Sequence, residues 1–99
     1  MEFDPVSWAH QELIPIAKAL VELVESEGEK EQGRFFAAVL HGLEAASTGV
    51  DLADPLMLLS MSAFRGFSFS AGAALLLDRL LEGSQQLSEL LSLDDSELH

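Results

Sequence analysis

The chain has 99 residues, 48% of them hydrophobic, with 17 Asp and Glu against five Lys and Arg and a net charge of −12. That balance implies one domain with an apolar interior and an acidic exterior, and it argues against binding nucleic acid through phosphates or docking on anionic membranes. The absence of cysteine excludes disulfides, thiolate catalysis and Cys–zinc sites, and it fits a cytoplasmic protein.

The opening MEFDP is acidic, unlike a secretory signal. Asp4-Pro5 reads as a helix start, with Phe3 and Trp8 spaced as a hydrophobic staple. The first helical stripe is Val6, Ala9, Leu13, Ile16, Ala17, Leu20 and Val24, widened by Ile14 and Val21. Pro15 interrupts it. It removes a backbone donor and crowds the carbonyl four residues back, so a kink is expected near Gln11–Ile14.

An acid-rich patch follows, with Glu22, Glu25, Glu27, Glu29 and Glu31. Gly28 reads as the left-handed stop of the first helix. The competing reading makes Ser26 and Glu29 a capping box for the second. The second helix is expected from about Lys30 to Ser47. Its core face is Phe36, Val39, Leu40, Leu43 and Ala46, flanked by Phe35. Arg34, His41, Glu44 and Thr48 form its polar face.

Asp54–Leu81 is the most apolar stretch, with Arg65 the only charge between Asp54 and Asp78. Asp54-Pro55 should open a third helix after a short linker, and Arg65-Gly66 should close it. Residues 56–77 tempt a membrane reading, but a central arginine, four serines and the helix break oppose it. Phe67-Ser68-Phe69-Ser70 alternates, so an extended connector with both phenylalanines turned inward is expected. Ser68 or Ser70 would cap the fourth helix. Its heptad-like seam is Ala73, Leu76, Leu80, Gly83, Leu87 and Leu90, widened by Leu77, Leu81 and Leu91. Gly83 suits a seam only where another helix crosses closely or the helix bends. Carboxylates in the last residues oppose the helix dipole, so an end near Ser92 is expected. The fold expected is all-α, a compact bundle of about four helices kinked at Pro15. Residues 1–93 form one domain, and 94–99 a frayed acidic tail.

Motifs that carry chemistry are weak. His41-x-x-Glu44 has metal-ligand spacing, but it occurs once and on a polar face, so a solvated pair is the plainer reading. His10 with Glu12 could form a general base, yet neighbours this close point in different directions, which favours a surface histidine. Gly66-Phe-Ser68-Phe-Ser70 echoes a nucleophile elbow but lacks its last glycine and its sheet. No cofactor is implied, and no enzyme.

The expectation is therefore a non-enzymatic protein-interaction module: an adaptor, assembly factor or regulator, homodimeric through its third and fourth helices. The contact residues expected are Met57, Met61, Phe64, Arg65, Leu76, Leu80 and Leu87. Arg65 has two readings, a cation at a helix end or an interface arginine paired with a carboxylate. An alternative is an acidic inhibitor or immunity-type protein whose glutamate patch occupies a basic site on a partner. A second alternative is a metal- or small-molecule-binding bundle using His10, His41 and nearby glutamates.

Overall fold

The computed structural model describes residues 4–61 and 66–97, with 92–97 described as backbone only. The helices are α1 (Pro5–Glu12), α2 (Ile14–Ser26), α3 (Lys30–Ala45), α4 (Ala53–Ser60) and α5 (Ala71–Glu97), and a 3-10 turn (Val50–Leu52) leads into α4. α1 and α2 are two limbs of one helix bent by 37° at residue 13, so the bundle has four helices. No strand occurs among the described residues.

Local chemistry accounts for the helix ends. Asp4 caps α1: its carboxylate accepts from the Val6 N–H at 3.1 Å and the Ser7 hydroxyl at 2.8 Å. Its staple partner Phe3 lies outside the described residues. At the bend, Pro15 has no N–H to give, and regular pairing resumes two residues to either side of it. The Leu13 N–H donates to the Ala9 carbonyl and the Ala17 N–H to the Leu13 carbonyl, each at 2.9 Å. The interrupted pairing around Pro15 therefore bends the helix without ending it.

α2 stops at Gly28, which has φ +80. The Gly28 N–H donates to the Glu25 carbonyl and the Glu29 N–H to the Val24 carbonyl, a Schellman closure. Ser26 forms no capping box. Its hydroxyl donates back to the Leu23 carbonyl.

The third expected helix is shorter than its sequence signals suggest. Asp51 takes the N–H groups of Ser47 and Thr48 at 3.0 and 3.1 Å. Helical backbone begins with the 3-10 turn that contains it, so Asp54 falls in the first turn of α4, not at its cap. The helix ends at Ser60, ahead of Arg65-Gly66, where the Met61 N–H is shared between the Met57 and Leu58 carbonyls. Gly66 does take the left-handed conformation, φ +71.

Ser70 opens α5, its hydroxyl accepting from the Ala73 N–H at 3.2 Å. Phe67 and Phe69 turn inward as expected. Phe67 meets Phe35 edge-on at 5.7 Å, and Phe69 lies 6.0 Å from Phe36. α5 continues to Glu97, past the end expected at Ser92, so the stretch read as an acidic tail begins inside the helix.

The core joins Leu13, Leu20 and Val24 of the bent helix to Phe36, Val39 and Leu43 of α3, Leu52 and Leu59, and Leu80 and Leu87 of α5. α2 packs against both α3 and α5, and α3 carries α4. The buried line on α5 is Ala73, Leu77, Leu80, Ser84 and Leu87, with Leu91 half-buried beyond. It is rotated from the expected seam: Leu76, Gly83 and Leu90 flank the line instead of forming it. Ser84 can sit inside because its hydroxyl donates to the Leu81 carbonyl of its own helix at 2.8 Å.

Candidate functional site

The contact residues expected from sequence separate into three groups. Leu80 and Leu87 are fully buried in the chain's own core, and Leu76 is half-buried beside it. A second copy cannot reach Leu80 or Leu87 while the bundle is closed. Phe64 and Arg65 lie outside the described residues. Met57 and Met61 stand at the surface, 63% and 49% exposed.

Those two methionines belong to a longer stripe. Val50 is 84% exposed, and Asp54 is exposed between it and Met57. Val50, Asp54, Met57 and Met61 repeat at steps of four, three and four. The backbone from Gly49 through the 3-10 turn into Ala53 keeps helical dihedrals, so the four lie along one side. The opposite side, Leu52, Pro55, Leu56 and Leu59, is buried against the bundle.

Asp51 holds the near end of this stripe. Hydrogen bonds from the Ser47 backbone, the Thr48 backbone and the Ser47 hydroxyl keep its carboxyl below its ordinary range. Asp4 is held low in the same way, chiefly by the Ser7 hydroxyl.

The acidic residues Glu22, Glu25, Glu27, Glu29 and Glu31 are all exposed around the α2–α3 turn. Two shallow grooves meet there. One, of about 400 Å³, lies between 28–32 and 66–68. The other, of about 370 Å³, runs along Glu25, Gly28, Lys30, Gly33, Arg34 and Ala37. Lys30 and Arg34 interrupt the negative surface. Gln32, buried beneath, donates from Nε2 to the Ser68 carbonyl at 2.8 Å and ties α3 to the connector.

Among the described residues, His10 and His41 are not brought together with carboxylates in a cluster. His10 Nε2 lies 3.1 Å from the Leu43 carbonyl; a carbonyl only accepts, so Nε2 carries the proton. His41 Nδ1 is 3.9 Å from Glu44 Oε1, an exposed pair one helical turn apart. Among the described residues no group of three His, Asp or Glu side chains could hold a metal ion. No helix among them is long and apolar enough to cross a membrane. Ser68 offers its carbonyl to Gln32, and Ser70 is a helix cap.

No family model, curated protein or solved structure matches this chain.

Sequence reading names Met57 and Met61 but not Val50 and Asp54, which share their exposed side, because it places Val50 in the linker and Asp54 at a helix start. The four–three–four spacing was the available signal. It becomes readable once Asp51 is recognised as the residue that starts the helical backbone early.

Proposed function

We propose that this protein is a non-enzymatic interaction module that engages another protein through the outer face of α4. The observation that carries the proposal is the Val50–Met57–Met61 stripe. Isolated surface hydrophobics are ordinary and need no explanation. Here three of the four large hydrophobics exposed among the described residues fall on one side of the short segment formed by the 3-10 turn, α4 and its C-cap. Methionine suits such a surface because its side chain adapts to different partners.

The test is affinity capture with the wild-type chain and with Met57→Gln/Met61→Gln. Both changes are at exposed sites, so stability should stay within about 0.5 kcal/mol of wild type. A partner retained by the wild type and lost by the variant supports the proposal. Equal retention by both would place the contact elsewhere.

The exposure of all five patch glutamates supports a second reading, an acidic inhibitor that occupies a basic site. Lys30 and Arg34 within the same surface weaken it. Reversal of Glu27, Glu29 and Glu31 to lysine is its discriminating variant. On this reading, binding should be lost on reversal and should fall steeply with salt in the wild type.

A further inference from the structure

We infer that the occupant of the α4 face is a cationic amphipathic helix, an inference that rests on the interaction-module reading above. The stripe has the form that a helix with an apolar face would cover: Val50, Met57 and Met61 in a row, all strongly exposed. The segment that carries it is uniformly acidic. From Phe35 to Met61 there is no Lys or Arg, while Glu44, Asp51 and Asp54 are all exposed. Asp54 sits within the stripe itself.

A second copy of this chain is a poorer occupant. A two-fold interface sets each patch against its own image. Asp51 and Asp54 would then approach their counterparts, and the segment supplies no Lys or Arg to pair them. Three apolar side chains also fall well short of the roughly 800 Å² per partner that a stable interface buries. A partner with a lysine- or arginine-rich flank removes the like-charge contact, and the small apolar area then no longer has to hold the complex alone. Its apolar side covers the two methionines and Val50, and its cations pair with Asp54, Asp51 and Glu44. Electrostatic attraction then supplies what the small apolar area lacks.

The probe is a synthetic helix of leucine and lysine with its leucines on one face. Its control is a peptide of the same composition with the order scrambled, which keeps the charge and loses the face. Binding is followed by the methyl resonances of Met57 and Met61 in the wild-type chain, and by affinity with Met57→Gln/Met61→Gln. The ordered peptide should shift both methyl signals and bind at least about tenfold more tightly than the scrambled one. The double variant should lose about tenfold in affinity.

Equal binding of the two peptides, or methyl signals that stay in place, overturns the inference. So do methyl signals that shift with protein concentration alone, which would make the occupant a second copy. Binding that survives the methionine changes but disappears on reversing Glu27, Glu29 and Glu31 overturns the α4 site yet leaves the broader module reading standing. If the double variant proves unfolded by circular dichroism, the wild-type methyl shifts alone decide.

Discussion

A Cβ placed on Gly83 would stand 2.6 Å from Leu13 Cδ2. Leu13 lies at the bend in the first helix and is fully buried. The missing side chain on α5 therefore makes room for the corner of the bent helix.

This contact sets two effects against each other. Gly83→Ala gains about 1 kcal/mol of helix propensity. Overpacking against an enclosed leucine costs about 1–3 kcal/mol. At 2.6 Å the Leu13 methyl must shift to admit the new Cβ, so the net change in denaturant unfolding should be destabilising. In Leu13→Ala the added methyl has space, so Gly83→Ala should become neutral or stabilising there. Additive behaviour in that double-mutant cycle would separate the two residues energetically.

The buried line on α5 gives a second comparison. Leu80→Ala should cost about 2–5 kcal/mol, as large-to-small core changes do. Ser84→Ala, one turn along on the same line, should stay within about 0.5 kcal/mol. It loses only a bond within its own helix and gains helix propensity. Thermal unfolding of the two variants would check the rotated seam. A large loss at Ser84 would contradict it.

Gln32 makes the tie between α3 and the connector that packs Phe67 and Phe69. Gln32→Glu replaces the donor to the Ser68 carbonyl with a carboxylate and should destabilise by about 1–3 kcal/mol at neutral pH. Gln32→Leu should cost less, since Ser68 is exposed and its carbonyl can turn to water. Amide exchange over 67–70 should rise in both variants.

The carboxyl of Asp51 has a folded-state pKa below its ordinary value of 3.8, through the Ser47 and Thr48 hydrogen bonds. A depressed folded pKa gives stability that is fully present above the unfolded value and is lost as pH falls through the folded value. The stability difference between wild type and Asp51→Asn should therefore be constant near neutrality. It should shrink as the solution is acidified below about 4. A difference that grew on acidification would have the wrong sign.

Much of this fold could be read from the chain. The apolar period of the bent helix, the Gly28 stop, the core face of α3, the inward Phe67 and Phe69 and the Ser70 cap all follow from local rules. The errors share a physical cause. α4 starts early because Asp51 closes a turn across four residues, and local proline and capping signals do not report that bond. The expected seam on α5 differs from the buried line because it includes Gly83 and leaves out Ser84. In the packed helix Gly83 leaves a gap for Leu13, while Ser84 satisfies its hydroxyl internally. Leu80 and Leu87 suggested a dimer for a related reason: apolar periodicity marks a buried face without saying which surface buries it. The bent helix does so here.

The central claim is that the α4 face meets another protein, and photo-crosslinking from a benzophenone side chain at position 57 tests it most directly. The expected product is a covalent adduct with a second, basic polypeptide, competed away by the ordered leucine–lysine helix. A chain that stays uncrosslinked, with adducts forming only from positions around Glu27–Glu31, would contradict it.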